Sequence, residues 1–447
     1  MSTPSLLHVL MGGVPLGRIT RDGNRLVLTY DPAWLERGAR AVTLSMSMPL
    51  TAAVHRGDAI TNFLWNLLPD SEQTLAGWAA KFQVSARNPF ALLAHTGEDC
   101  PGAIQLVREE RLDAVTGPGE IVWIDDAEVA RRLAELRRDA GTSGRARGET
   151  GQFSLAGAQP KTALIRLDGR WGVPSGRVPT THILKPPVMG FAGHAENEHV
   201  CLQVAATVGM RAARTEVMRF GKEVAIVVER YDRVVQGTRV LRSHQEDMCQ
   251  ALGVPPWSKY ENDGGPGIRA IVNDVLRWSE DSLATRRAFL KAVVFNQIIG
   301  GSDAHAKNYS ILHAASGKMR LAPLYDIASI WPYETDTRKL KMAMRIGGKY
   351  KFDEILPRHW EAETRGCGMQ PEDALGPMRD LLARLPDAFA DVSKRAVEGG
   401  LSKDLTLPLA DAVAERCRFL TTRYGREDVP GSPVDSEDEE ETSTFTP

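Results

Sequence analysis

The residues best suited to chemistry lie within 300–326, GGSDAHAKNYSILHAASGKMRLAPLYD. Asp303, His305, Lys307 and Asn308 follow the pair Gly300-Gly301, and a further carboxylate, Asp326, closes the segment. The spacing Asp303-x-x-x-x-Asn308 with a later Asp is what phosphoryl transfer from a nucleotide requires. One carboxylate orients and deprotonates the attacking hydroxyl, while the amide and the second carboxylate hold Mg²⁺ against the phosphates. The competing reading of the same residues is a loop rich in Asn and Asp that makes Asx turns.

Regular elements must bring these side chains together. Phe289 with Val293, and Leu290 with Val294 and Ile298, recur at helical spacing and predict a helix that ends at the glycines. The β-like runs 309–312 and 319–324 flank a turn at 316–318, so a hairpin carries the chain from Asn308 to Asp326.

At 447 residues the chain has room for two or three domains, and 43% hydrophobic with 25% charged residues is an ordinary soluble composition. Net charge is −2; six acids crowd the last 17 residues, and without them the remainder stands at +4. That is too weakly basic to argue for nucleic acid by itself. The five cysteines are scattered without a C-x-x-C and predict reduced, mostly buried thiols. With no signal peptide and no apolar run of bilayer length, the expectation is a cytoplasmic protein with no membrane partner.

Along the chain, 6–48 reads as β-rich, with strands at 6–11, 17–19 and 25–30 and alternating apolar and Ser residues at 44–48. Helical segments follow at 63–68, 75–82 and 90–95. This first region shows no chemical cluster and reads as a scaffold or docking module. An amphipathic helix at 128–138 leads into a Gly/Arg-rich linker at 141–151.

From residue 152 the pattern changes. Small residues within 153–159 precede Lys161 and a strand at 162–167, where backbone N–H groups could approach a phosphate; a plain tight turn is the alternative. Lys185 ends a short strand closed by Pro186-Pro187. It reads either as a point charge for phosphate or as a lysine snorkelling at an edge. Glu198, in the first turns of a helix over 195–208, could pair with Lys185 or merely favour the helix dipole. His194 and His199 are five apart and do not share a helical face, which argues against a metal site there. The strand 224–228 opening into Glu229-Arg230-Tyr231 suits a hinge between lobes with backbone groups for an adenine edge. Residues 245–248 are expected to start a helix, 259–267 (KYENDGGPG) to be a flexible polar loop, and 268–300 and 355–425 to be mainly helical. The alternating basic and apolar residues of 338–345 suggest a solvated strand face, or a basic face near a substrate entrance. The acidic tail from 431 should be disordered.

FSLAGAQPKTAL (153–164), HILKPP (182–187), VERYDR (228–233) and GGSDAHAKNYSIL…PLYDIAS (300–329) together resemble the HipA family of serine/threonine-kinase toxins. HQEDMCQALG, KYENDGGPG, and the N-terminal LSMSMPL and NLLPD are similar to that family as well. The resemblance implies an α+β, bilobal protein-kinase-like fold in five parts. These are a β-rich N-terminal domain (1–107), a connecting helix and linker (108–151), a kinase N-lobe (152–250), a helical catalytic C-lobe (251–427) and the tail (428–447). It implies Asp303 as catalytic base, and Asn308 and Asp326 as Mg²⁺ ligands. ATP would be bound by Ala156, Gly157, Ala158, Gln159, Pro160, Lys161, Lys185, Glu229, Arg230, Tyr231, His305, Ala306, Lys307, Asn308, Tyr325 and Asp326. Ser154 matches an autophosphorylated serine that switches family members off, consistent with about −2 of added charge beside the triphosphate. Pro160 departs from the family's GAQEK, which stiffens the loop and removes a carboxylate. The resemblance also implies a helix-turn-helix antitoxin, operator DNA bound through it, and an aminoacyl-tRNA synthetase as substrate. A small-molecule kinase and a non-catalytic antitoxin- and DNA-binding scaffold are the rival readings.

Overall fold

The computed structural model describes residues 5–23, 25–138, 153–188, 190–237, 239–314, 317–334 and 336–427. The expected linker at 141–151 and the acidic tail lie outside them. Among the described residues, no helix is long and apolar enough to cross a membrane.

Alternating side chains in Leu6–Met11, Val14–Asp22 and Arg25–Tyr30 put Leu7, Val9, Ile19 and Leu28 on one buried face, and a register shift opposite Val9 and Leu10 brings Leu16 into the same core. These strands form the centre of a five-stranded antiparallel sheet flanked by Val54–Arg56 and Ile104–Val107. Helices Asp58–Asn66, Glu72–Phe82 and Pro89–Thr96 contribute Phe63, Leu64, Trp78 and Phe90 to its core. The third of these helices starts at a capped proline: Asn88 accepts from Ala91 N at 3.1 Å and Pro89 takes the first helical position. Residues 44–48, which alternate like a strand, instead make a tight turn closed between Ser45 and Met48. There they meet Glu246: Ser45 Oγ donates to Oε2 at 2.5 Å and Met46 N to Oε1 at 3.0 Å. A distant acid decides the conformation of this stretch.

The second sheet has six strands in the order Thr215–Phe220, Glu223–Glu229, His182–Lys185, Thr162–Leu167, Arg170–Pro174, Ile121–Ile124. Here the expected boundaries need correcting. Ile121–Ile124 pairs with Arg170–Pro174, and helix Asp126–Arg138 buries Val129, Leu133 and Leu136 against Leu164, Trp171, Leu184 and Phe220. The segment read as a connector is therefore part of the lobe, because its apolar helix face has this sheet to cover.

The third region is built on helices Ser282–Ile299, Pro357–Gly366, Glu372–Glu398 and Lys403–Glu427 around one large apolar core. Helix His194–Thr207 joins that core through Val200, Leu202 and Val204 while also packing on the second sheet. A small sheet, His244–Asp247, Ser310–His313 and Met319–Leu321, completes it. Residues 245–247 are thus not yet helical. His244–Asp247 is extended against Ser310–His313, and the helix begins at Met248, with Asp247 and Gln250 forming a capping box. This places 244–250, assigned to the N-lobe from sequence, with the C-lobe.

A buried ion cluster welds the N-terminal domain to the second lobe. Arg233 donates to Asp99 Oδ1 at 2.9 Å, Arg230 to Asp232 at 2.9 Å, Thr180 Oγ1 to Asp99 Oδ2 at 2.7 Å, and Gly102 N to Asp232 at 2.6 Å. Burial works against ionisation of Asp99, but Arg233, Arg230 and Arg242 outweigh it and hold its carboxyl well below the usual carboxylate range. The stabilisation from a depressed carboxylate is complete above its unfolded value and disappears only in strong acid. Asp99→Asn leaves the buried Arg230, Arg233 and Arg242 to share one remaining carboxylate, Asp232, an expected loss of roughly 3–5 kcal/mol. The check is the thermal unfolding midpoint at neutral pH, which should fall clearly; an unchanged midpoint contradicts the weld.

Candidate active site

The helix Ser282–Ile299 stops at Gly300, whose φ of 74° is left-handed and whose added Cβ would lie 2.5 Å from the Trp331 ring. The chain then turns and presents Asp303, with 70% of its side chain exposed, at the mouth of a cleft of about 450 Å³. Asn308 Nδ2 donates to the Asp303 backbone carbonyl at 2.7 Å, which fixes the loop and leaves the amide oxygen on the opposite side. Beyond the hairpin, Asp326 adopts φ 57°, an uncommon value for a non-glycine residue that often marks a functional position.

Lys185 Nζ lies 2.7 Å from Asp326 Oδ1 and 2.8 Å from Glu198 Oε1. Glu198 is thus a partner of the strand lysine, and the dipole-only reading of that residue falls. Burial opposes the Lys185 charge, yet Asp326 and Glu198 together raise its pKa. For Asp326 burial is likewise overcome, by Lys185 and Lys161, and its pKa is depressed. One ammonium serves two carboxylates, and Glu198, the deeper of them, is pushed up by its burial.

The loop at 153–161 closes the cleft from above. Lys161 Nζ donates to Ala156 O at 2.5 Å, and Gln159 Nε2 to Pro186 O at 2.9 Å. Gly157 has φ 101°, and a Cβ there would lie 2.5 Å from Lys161 Nζ. Burial brings the Lys161 pKa down to about 8 against the pull of Asp326, with Lys185 adding to the fall. Glu229 and Tyr231 line the other end, where the Tyr231 and Tyr325 rings lie 5.7 Å apart. Tyr325 Oη donates to Lys307 O at 2.7 Å. His305 borders Asp303; burial lowers its pKa to about 4, so it is neutral near pH 7.

Three expected positions do not offer side chains to this cleft. The Arg230 guanidinium is committed to the buried ion cluster, so only its backbone can serve a ligand. Ala306 is fully buried. Ser154 is also fully buried, its Oγ donating to Leu67 O at 2.7 Å and its N–H to Asp99 O at 3.1 Å.

Three residues that hold the Asp303 side of the cleft escaped sequence reasoning. Asp70, from the N-terminal region read as lacking chemistry, accepts from Lys259 and from Lys307 at 2.9 Å each. Tyr260 donates its hydroxyl to Asp303 Oδ1 and packs edge-on against His305. All three lie in stretches already picked out, NLLPD and KYENDGGPG, whose acid, lysine and tyrosine were the available signal. The second stretch is also no floppy loop: Glu261 accepts from Arg345 N and pairs with its Nε at 2.8 Å. That ion pair likewise withdraws Arg345 from the basic face considered for 338–345.

Residues 7–107 match the HipA N-terminal domain, and residues 153–389 the HipA-like C-terminal domain. Y4mE of Sinorhizobium fredii, which carries a provisional kinase name, is 35% identical over 429 residues, covering 94% of this chain and 99% of that protein. The serine/threonine-protein kinase toxin HipA of Shewanella oneidensis is 30% identical over 410 residues, 88% of this chain and 90% of the relative. The solved complex of Shewanella oneidensis MR-1 HipA with HipB and its operator DNA superposes with a TM-score of 0.80 at 26% identity, covering 95% of this chain and 99% of that one.

Proposed function

The chain belongs to the HipA family, and from that premise we propose that it is an ATP-dependent serine/threonine protein kinase serving as the toxin of a toxin–antitoxin pair. The observation that carries the reading is the convergence of Lys185 with Asp303, Asn308 and Asp326, from two stretches far apart in the chain, on one cleft. Asp303 takes the proton of the acceptor hydroxyl as its oxygen bonds to the γ-phosphorus and the bond from that phosphorus to the departing ADP oxygen breaks. Lys185 and Lys161 supply positive charge to the phosphates, and Glu229 and Tyr231 border the adenine.

Among the described residues, no three His, Cys, Asp or Glu side chains form a metal cluster. Mg²⁺ needs none, since it commonly takes one or two protein ligands and completes its shell with phosphates and water. Asn308 Oδ1 and the ionised Asp326 fit that role, and the ion would neutralise charge on the transferred group. The five cysteines are all unpaired and buried, in keeping with a reducing, cytoplasmic setting.

Ser154 is the proposed autophosphorylation site. It cannot carry a phosphate where it now lies, because its pocket is closed by Leu67 and Asp99. Modification therefore requires the 153–157 segment to leave the N-terminal domain, which opens the phosphate loop and switches the kinase off. Mass spectrometry after ATP incubation should find phosphate on Ser154, and Ser154→Ala should prolong activity. No phosphate there, either before or after incubation, removes this regulation.

The HipA–HipB–operator complex supports an antitoxin and operator DNA as partners of this chain, and the antitoxin is proposed to be the helix-turn-helix protein that carries it to the DNA. An aminoacyl-tRNA synthetase is the proposed protein substrate, its phosphorylation halting translation. Phosphoproteomics after brief expression of wild type and of Asp303→Gln tests this directly. Sites gained only with wild type should include a synthetase serine or threonine, and a wild-type pattern without one discards that substrate.

A further inference from the structure

The two lysines that flank the base-bearing loop are held from outside the kinase lobes. Lys307 lies between His305 and Asn308, and Lys259 immediately precedes Tyr260, the residue that donates to Asp303. Their ammonium groups converge on the two oxygens of one carboxylate, Asp70, at 2.9 Å each. The three side chains are 13%, 15% and 3% exposed for Asp70, Lys259 and Lys307, so solvent does little to weaken the contacts.

Asp70 is itself fixed to the third wall of the cleft. Its N–H donates to Gly157 O at 3.2 Å, and Pro69 and Gly157 form a parallel bridge. The loop above the phosphates, the loop bearing the base and the loop bearing Tyr260 therefore meet at one residue of the N-terminal domain.

We propose that Asp70 is a positioning residue for phosphoryl transfer, setting Lys307 and Lys259 and through them the segments that aim Asp303, so that the N-terminal domain is part of the catalytic unit. The rival account is a plain interdomain staple. A staple contributes stability; a positioning residue contributes rate, and does so through its two lysines. Burial opposes ionisation of Asp70, yet Lys307 and Lys259 bring its pKa down to about 2, so the carboxylate stays charged throughout any practical assay range. Substitution, and not pH, is the lever.

The proposal rests on the kinase reading, and a double-mutant cycle separates the two. Label transfer from Mg·[γ-³²P]ATP into nucleotide-depleted lysate protein is measured for the full chain, with KM for ATP and the thermal midpoint taken on the same preparations. Asp70→Asn should lower the maximal rate about tenfold or more while KM for ATP changes less than about threefold. In a Lys259→Met, Lys307→Met background the same substitution should cost less than about twofold, because the groups it acts through are gone. Asp70→Glu keeps the charge but shifts it by one methylene, and should fall between the two rates; it carries the test if the asparagine variant does not fold. Costs that multiply across the cycle, or an Asp70→Glu rate equal to wild type, overturn the proposal while leaving the kinase reading intact. Absence of transfer by wild type removes both.

Discussion

Asp303→Gln is expected to abolish both label transfer and growth inhibition while leaving nucleotide binding unchanged. The Asp303 side chain is 70% exposed, so one extra methylene meets no packed core and the fold should be indifferent to it. The amide can still accept from Tyr260 but cannot take a proton from an acceptor hydroxyl. Loss of a positioned general base lowers the rate by roughly 10²–10⁴-fold. The check pairs initial rates of transfer with binding of a fluorescent ATP analogue. Unchanged toxicity would favour the rival reading, a silent scaffold that only binds antitoxin and DNA. A parallel loss of nucleotide binding would mean that Asp303 serves the nucleotide and not the acceptor.

Asp326→Asn should be nearly as damaging by a different route. Its φ of 57° is a region that asparagine tolerates well, so backbone strain does not confound the substitution. What changes is charge. Asp326 is the anionic member of the proposed metal pair, since Asn308 is neutral, and it holds Lys185 at 2.7 Å. Transfer should fall by roughly 10²–10³-fold, the scale of losing one group that stabilises transition-state charge. Nucleotide affinity measured in EDTA should be equal to wild type or tighter, because a negative charge beside the triphosphate has gone. The Mg²⁺-dependent gain in affinity should shrink. An equal loss with and without Mg²⁺ would contradict the role given to Asp326 as a metal ligand.

The legible and illegible parts of the site divide by sequence distance. Asp303, Asn308 and Asp326 lie within one short stretch, and Lys185 ends an apolar strand, so residue type and spacing alone suggested their chemistry. Lys185–Glu198 is a contact between a strand and the next helix, near enough to guess. Asp70 stands in NLLPD, a stretch marked only by resemblance; its role was beyond local reach, because its partners lie 189 and 237 residues downstream.

The fold divides in the same way. The N-terminal strands are visible through period-two alternation and the long helices through their apolar spacing. His244–Asp247 carries a helix-start signature, Asp247 with Gln250, and that signature is real; it applies to the helix that follows the strand. The strand itself depends on pairing with Ser310–His313 and on Glu246 being buried against Ser45 and His313, neither of which a local window contains. Likewise Ile121–Ile124 becomes a strand only because Arg170–Pro174 returns to pair with it.

The most direct test of the central claim is to incubate the purified chain with Mg·[γ-³²P]ATP and a nucleotide-depleted lysate, and to hydrolyse the labelled protein for phosphoamino acids. The account predicts phosphoserine or phosphothreonine in proteins other than the chain itself, absent with Asp303→Gln. Label confined to small molecules, or protein label that persists with Asp303→Gln, would contradict it.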